Sequence, residues 1–324
     1  MTWVALRQNR LGIYAGLAVL IALAAFLVPT GVSMLARFED SGLKACMDAA
    51  DGGCTDLAQR FFDSYRSLWS VMTWLNFIPA IIGLVLAAPI VLDLEQRTYR
   101  LAWTQSITRR RWIAVKLGMA LLGAVVFAAA ATALLTWWLA PQDRVYGPLE
   151  NSFNYEGVAP FAFTIFSLAL ALAVGVLTRR IIVVFAVTLG GFLGARLFVE
   201  VVLRPNYMAP VERITPLTGD SPPGLTGQEW VLSGRLIDQA GNPLSVAQAQ
   251  ELCGGFVQGP GLANNPQTES SLFECLDGAG IMSRLLFHPA DRFWTFQAIE
   301  AAIFLGAAAV LLGLTVWVVS RRMR

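Results

Sequence analysis

The sequence is poor in the residues that soluble enzymes use for chemistry. Among 324 residues there is one histidine, His288, and only 14% of the residues are charged. The chain has no GxxxxGK[ST] phosphate loop, no HExxH zinc motif and no C-x-x-C pair. We therefore expect neither ATP nor a metal to be bound by this chain, and nothing in it indicates an enzyme.

The sequence does contain long apolar runs. Apolar residues make up 56% of the chain and the mean hydropathy is +0.58, which is typical of a polytopic membrane protein. About 20 residues of helix cross the roughly 30 Å hydrocarbon layer of a bilayer. Six stretches are long enough: 11–35, 70–92, 113–139, 159–177, 181–203 and 294–319. The sequence therefore predicts an all-α multi-pass protein of the cell membrane with six transmembrane helices.

The distribution of charge predicts the orientation. Segments 1–10, 93–116, 178–180 and 320–324 hold 13 of the 24 basic residues but only two of the 22 acidic ones. The segments on the other side hold ten basic and 18 acidic residues. Because basic residues beside membrane spans stay in the cytoplasm, we expect both termini to be cytoplasmic.

All four cysteines fall on the predicted outer side, where disulfides persist. Cys46 and Cys54 lie in the first outer loop, 36–69, and Cys253 and Cys275 lie in the last. The simplest of the three connectivities pairs neighbours along the chain, but the two crossed pairings remain open.

The large segment between spans five and six predicts a small extracellular α+β domain, 204–293. The stretch EWVLSGRLIDQAGNPLS is typical of short strands with a Gly-Asn-Pro turn, and SVAQAQELCGGF is typical of a short helix. Gating, substrate selection and simple capping of the spans are all open for this domain. The predicted division has three parts: 1–203 with spans one to five, the outer loop 36–69 and a cytoplasmic loop 93–112; the extracellular domain 204–293; and 294–324 with span six and a cytoplasmic tail.

A few polar residues lie within the predicted spans: Asn76, Arg196, Glu200, Gln297 and Glu300. Arg196 and Glu200 are one helical turn apart, so they can pair on one face. Glu300 lies at a depth similar to that of Arg196, which suggests a contact between these two side chains. Such residues either join helices or line a transport path, and we favour the first role.

The basic segment 93–116 lies between spans two and three. Tyr99, Trp103 and Ile107 are spaced four apart, which predicts an aromatic stripe on a short helix at the membrane surface. Thr104, Ser106 and Thr108 could each cap the next helix, which would begin at the arginine triplet. A basic loop of this kind binds anionic lipid, whereas an aromatic stripe can anchor a protein groove. Composition alone favours neither lipid binding nor protein binding.

Three motifs show a resemblance that extends over the whole chain. They are MTWVALRQNR before span one, API-x6-QRTYRLAWTQSITRRRWIAVK after span two, and HPADRFWTFQAIEAAIFLGAAA leading into span six. With these motifs the chain resembles an actinobacterial permease subunit of the ABC type-2 transporter family, an exporter transmembrane subunit.

The resemblance implies that the segment after span two is a coupling helix that docks on a cytoplasmic ATPase. The residues that would couple to the ATPase are Glu95, Arg97, Thr98, Arg100, Trp103, Thr104, Gln105, Arg109, Arg110, Arg111 and Trp112. The implied complex has two ATPase copies that carry ATP and Mg, and a second permease subunit, as a homodimer in membrane lipid without nucleic acid. The implied activity is export of an amphipathic compound such as a drug, antibiotic or lipid. The alternative is a membrane receptor or immunity protein that senses a ligand without transport.

Overall fold

The computed structural model describes residues 2–49, 54–98, 108–217, 227–253 and 274–321, and the fold is mostly helical. Six helical stretches are long and apolar enough to cross a membrane, as predicted: Gly12–Asp40, Arg66–Glu95, Arg111–Tyr146, Ala159–Thr178, Ile181–Asn206 and Ala290–Arg321. The helices are α1 (Thr2–Asp40), α2 (Leu43–Ala49), α3 (Thr55–Ser64), α4 (Arg66–Leu75), α5 (Ile78–Glu95), α6 (Arg109–Tyr146), α7 (Ala159–Thr178), α8 (Ile181–Phe198), α9 (Val246–Leu252) and α10 (Phe293–Arg321). The fifth span continues beyond α8 through a π-helical turn, Val199–Leu203, and a 3-10 turn, Arg204–Asn206.

The second span differs from the prediction because it is interrupted. α4 ends at Leu75 and α5 begins at Ile78, with Asn76 and Phe77 between them. Pro79 lies in the first turn of α5, where a proline that lacks an N–H is tolerated, but it cannot continue a preceding helix. At this interruption the Asn76 side chain binds other parts of the protein, Tyr155 and Arg196.

The helix α7 lies at the centre of the bundle and packs most closely on α5 and α10. Gly83 of α5 lies against α7 so closely that a Cβ there would come within 2.6 Å of the backbone N of Leu168. One turn away along α5, the Ala80 carbonyl accepts a hydrogen bond of 3.1 Å from the Ser167 hydroxyl. These contacts fix α5 firmly against α7.

The segment between spans five and six folds around a four-stranded antiparallel sheet in the order β1-β4-β2-β3. The strands are β1 (Val211–Pro216), β2 (Trp230–Ile237), β3 (Pro243–Leu244) and β4 (Met282–His288). β1 follows span five and β4 precedes span six, and these two strands pair with each other. The two strands that adjoin spans five and six are therefore hydrogen-bonded to each other, next to the ends of those spans.

Two disulfides lie on the side of the bundle that carries the sheet. They join Cys46 to Cys54 and Cys253 to Cys275, which is the pairing of neighbours along the chain. Cys253 follows directly after α9, whose N-terminus is capped by Ser245 and Gln248 in a reciprocal capping box. The second disulfide therefore ties α9 to the stretch before β4.

His288, at the end of β4, joins the sheet to the spans. Its Nδ1 lies 2.9 Å from Nη1 of Arg292, and its Nε2 lies 3.0 Å from the carbonyl oxygen of Pro205. Because a guanidinium only donates, Nδ1 accepts and the proton resides on Nε2. Burial lowers the pKa of His288, and the nearby Arg292 charge acts in the same direction.

Candidate functional site

The coupling segment, residues 93–112 with the predicted coupling residues, is held at its base by an ion pair whose lysine is buried. Lys116 of α6 donates a hydrogen bond of 2.8 Å to the carboxylate of Asp93, in the last turn of α5. The Lys116 side chain is only 3% exposed, and Asp93 also accepts a hydrogen bond of 3.1 Å from the Thr98 hydroxyl. The pair joins the two helices on either side of the segment.

A second contact joins the same segment to the neighbouring connection between spans four and five. The Glu95 carboxylate accepts a hydrogen bond of 3.0 Å from the backbone N–H of Ile181, at the first turn of α8. A carboxylate at a helix N-terminus is favoured because it satisfies a free N–H and interacts with the helix dipole. Arg97 then adopts a left-handed backbone conformation, with φ of 57°, as the chain turns out of the helix.

The structure describes some of the predicted coupling residues. Glu95, Arg97 and Thr98 lie at the end of α5, where the chain leaves the bundle. Four predicted coupling residues lie outside the described residues: Arg100, Trp103, Thr104 and Gln105. The predicted aromatic stripe, Tyr99, Trp103 and Ile107, also lies outside the described residues.

Helix α6 begins at the arginine triplet, as the sequence predicts. Of the three predicted caps, Thr108 is the N-cap, and its hydroxyl accepts a hydrogen bond of 3.4 Å from the backbone N–H of Arg111. Arg109 and Arg110 form the first turn, and the Trp112 side chain is buried in the main core. The basic triplet is therefore located where the chain re-enters the bundle.

At the opposite end of the bundle, polar side chains from three spans and a connection meet. We call this group the polar junction, and its members are Asn76, Asn154, Tyr155, Arg196, Glu200, Arg204 and Glu300. Its two arginines and two glutamates give no net charge, which is how charged groups are accommodated within a membrane.

Three residues predicted to be polar groups within the spans, Asn76, Arg196 and Glu200, are joined through Arg196 in the polar junction. Nη2 of Arg196 donates a hydrogen bond of 3.1 Å to Asn76 and lies 3.9 Å from the Glu200 carboxylate. Asn76 in turn donates a hydrogen bond of 2.7 Å to the hydroxyl of Tyr155. The guanidinium of Arg196 also lies 3.8 Å above the ring centre of Phe163. The interruption in the second span is thus bound to span five.

The predicted contact between Glu300 and Arg196 is wrong, because Glu300 has another partner. Arg204 donates two hydrogen bonds to the Glu300 carboxylate, 2.8 Å from Nε and 2.7 Å from Nη2. Arg204 is one helical turn after Glu200, itself one turn after Arg196, so all three lie on the same side of span five. The turn beyond the predicted span boundary places Arg204 nearer to Glu300.

Gln297 has a separate role, in which both ends of its amide form hydrogen bonds. Its Oε1 accepts hydrogen bonds from the backbone N–H groups of Val158 and Ala159, at 3.0 Å and 2.8 Å, and its Nε2 donates to the Phe153 carbonyl at 2.8 Å. Gln297 therefore caps the N-terminus of α7 from a neighbouring helix. These contacts are those of a residue that joins helices.

A carboxyl pair lies where the connection 147–158 folds over the end of α6. Glu156 is in hydrogen-bond contact with Asp143, and Asp143 also accepts a hydrogen bond from the Ser152 hydroxyl. Burial, together with the Asp143 carboxyl, raises the pKa of Glu156 to about 9. A pKa raised in this way favours the protonated form of Glu156 at neutral pH, in which its carboxyl can donate to Asp143.

Several residues of these sites are missing from the sequence predictions. Asp93 and Lys116 were counted only as loop charges, and Arg204 was placed just beyond span five. The four-residue spacing from Arg196 to Glu200 to Arg204 is a signal that could have identified Arg204. No such signal exists for Asn154 and Tyr155, because their partners are far away along the chain. Among the described residues, no group of three or more His, Cys, Asp or Glu side chains could hold a metal ion.

Comparisons with known proteins agree with this membrane architecture. A family model described as ABC-2 membrane transporter related matches residues 17–204. That region includes most of α1, all of α5 to α8 and every member of the polar junction except Glu300. No curated protein and no solved structure matches the chain. Because the family model covers more than half of the sequence, the chain belongs to the ABC-2 membrane transporter related family.

Proposed function

We propose that this chain is the permease subunit of an ATP-driven exporter. Family membership supports a role in membrane transport. In the proposed complex, two cytoplasmic ATPase subunits carry ATP and Mg, and two copies of this chain form the pathway for an amphipathic compound. Both termini and segment 93–112 face the cytoplasm in this arrangement, and residues 204–293 form an extracellular domain.

The observation that carries the proposal is the anchoring of segment 93–112 at its base. The Asp93–Lys116 ion pair joins α5 to α6, and the Glu95 carboxylate binds the first turn of α8. A force applied to the segment by an ATPase would therefore move three helices together. Without such anchors, the segment could bend without moving the spans.

The helix α5 provides a path from this segment to the other end of the bundle. It has 18 residues, or about 27 Å at the usual rise of 1.5 Å per residue. The coupling segment begins in its last turn, and Asn76 of the polar junction precedes its first turn. In the proposed mechanism, ATP binding favours one state of the ATPase pair and tilts α5, which shifts span five and the base of the sheet domain.

Co-purification of an ATPase tests the proposal. The tagged chain is cross-linked in membranes, purified in mild detergent, and compared with the variant Trp103→Ala combined with Arg100→Ala. Trp74→Ala is a matched control, because Trp74 is an exposed tryptophan on α4 near the opposite end of the bundle. We expect an ABC ATPase with the wild type and with the control, and its loss in the double variant.

Two other results would count against the exporter or against its predicted docking surface. Recovery of the wild-type chain alone, even after cross-linking, would favour a receptor or immunity protein that needs no ATPase. Recovery of equal amounts of ATPase with the double variant would leave the partner intact but would locate its docking surface elsewhere.

A further inference from the structure

An apolar groove runs between α1, α5 and α6 on the outside of the bundle. Its volume is about 430 Å³, which is within the range of about 300–1,000 Å³ that is usual for ligand sites. Six of the residues that line it are Leu17, Leu20, Leu86, Met119, Leu122 and Val126. None of the lining residues carries a charge or a hydrogen-bonding side chain.

The groove lies in the half of the bundle next to the Asp93–Lys116 pair. Pro89, one turn before Asp93, and Met119, one turn after Lys116, both line it. Its walls are fixed, because Gly12 packs against Pro89 and Gly16 packs against Phe127. Its outer edge is open, since the Leu122 and Val126 side chains are 66% and 56% exposed.

Two exposed arginines continue the groove toward the nearer end of the bundle. Arg10 precedes Leu17 by seven residues on α1, which places the two on one helical face. Arg111 precedes Leu122 by 11 residues on α6, about three turns, so these two also share a face. The groove therefore has an apolar interior and a basic rim.

We propose that the apolar groove binds one acyl chain of an anionic phospholipid, whose phosphate interacts with Arg10 and Arg111. The apolar lining matches the chain, and the basic rim attracts the headgroup. A second copy of this chain is a weaker candidate, because a symmetric contact through this face would bring the arginines of both copies together. The proposal does not depend on ATPase coupling, since it concerns only this chain and the surrounding membrane.

Lipid binding can be measured by native mass spectrometry of the purified chain. The probes are palmitoyl-oleoyl phosphatidylglycerol, which is anionic, and palmitoyl-oleoyl phosphatidylcholine, which has the same chains but no net charge. We expect the wild type to bind the anionic lipid more tightly. In Arg10→Gln combined with Arg111→Gln this preference should fall by about fivefold for each arginine, while phosphatidylcholine, whose phosphate charge is offset by its choline, should lose much less affinity.

A second variant tests the groove itself. Val126→Trp places a large side chain in the groove and should remove one bound molecule of either lipid. If this variant does not fold, Leu17→Trp fills the opposite wall with the same expected result. The controls are Arg321→Gln, an exposed arginine at the end of α10, and Val310→Trp, a 75% exposed position on that helix. Neither control should change binding.

Three results would overturn the proposal. One is an unchanged preference for phosphatidylglycerol after loss of both arginines. Another is unchanged lipid retention in the folded Val126→Trp or Leu17→Trp protein. The third is efficient disulfide cross-linking between copies through Leu17→Cys in membranes, which would show that a second copy covers the groove.

Discussion

Arg204 and Glu300 form a buried two-point ion pair that joins the end of span five to the first turns of span six. The guanidinium donates hydrogen bonds of 2.8 Å and 2.7 Å to the two carboxylate oxygens, and Glu300 is fully buried. The whole sheet domain lies between the two residues in the sequence. The pair therefore holds the two ends of that domain together at the membrane.

Removal of one partner from this pair is expected to destabilise the protein strongly. Among the described residues, Arg204→Met leaves the buried Glu300 carboxylate with one hydrogen-bond partner, the Tyr207 hydroxyl 3.3 Å away. Loss of one partner of a buried pair lowers the free energy of unfolding by about 3–5 kcal/mol. Thermal unfolding in detergent measures the change. Lys44→Met is the control, because it removes an exposed pair with Glu39 and should have an effect of about 1 kcal/mol or less.

Exchange of the two charges tests whether the stability comes from the pair itself. The double variant Arg204→Glu with Glu300→Arg should recover part of the stability lost in each single variant, because the opposite charges still meet. A double variant no more stable than the worse single variant would mean that other contacts of Arg204, such as Asn154, dominate.

The Asp93–Lys116 pair is expected to protect the coupling segment from proteolysis. Lys116→Met removes a charged hydrogen bond of 2.8 Å at the base of the segment. Such a bond contributes enough that local opening should become about tenfold more frequent. Trypsin cleavage after Arg97 in inside-out vesicles measures this opening, with Lys44→Met as the control on another part of the chain. An equal cleavage rate in Lys116→Met would show that the ion pair does not hold the segment.

The carboxyl pair predicts a specific pH dependence of stability. The pKa of Glu156 is about 9 in the folded protein, whereas its ordinary value is 4.5. The folded state therefore binds more protons than the unfolded state between these values, so this residue lowers stability as the pH rises from about 4.5 to 9. Glu156→Gln keeps a hydrogen-bond donor toward Asp143 but cannot ionise.

The measurement is the melting temperature in detergent from pH 5 to about 9. The decline with rising pH should be smaller for Glu156→Gln than for the wild type, and the variant should be the more stable protein at the alkaline end. Glu212→Gln is the control, because Glu212 is in an exposed pair on the sheet. Parallel curves for the wild type and Glu156→Gln would contradict the raised pKa of Glu156.

The six spans and several local features could be predicted from sequence because each depends on neighbouring residues. Apolar runs predict membrane helices, and the Thr and Ser residues before the arginine triplet predict an N-cap, for which Thr108 was one of three candidates. In contrast, the break at Asn76 is favoured by Pro79 but also depends on Tyr155 and Arg196, which are 79 and 120 residues away. A single sequence carries no signal for such pairings.

The partners of each residue in the polar junction were also only partly predictable from the sequence. Sequence reasoning identified Asn76, Arg196, Glu200 and Glu300 as costly groups that need partners, and the structure joins all four in one network. It assigned Glu300 to the wrong arginine because the turns at the end of span five determine which arginine lies nearer. Those turns are π-helical and 3-10, and they shift side chains relative to a regular helix.

Cysteine labelling in intact cells tests the predicted orientation of the chain. All four native cysteines are in disulfides, so the wild type should not react with a maleimide that cannot cross the membrane. Ala240→Cys introduces an exposed thiol in the turn between β2 and β3, and Arg321→Cys introduces one at the end of α10. Because segments rich in basic residues remain in the cytoplasm, only Ala240→Cys should react in intact cells, and Arg321→Cys should react after permeabilisation. The reverse pattern would place segment 93–112 outside the cell, where no cytoplasmic ATPase could reach it, and the proposed exporter function would fail.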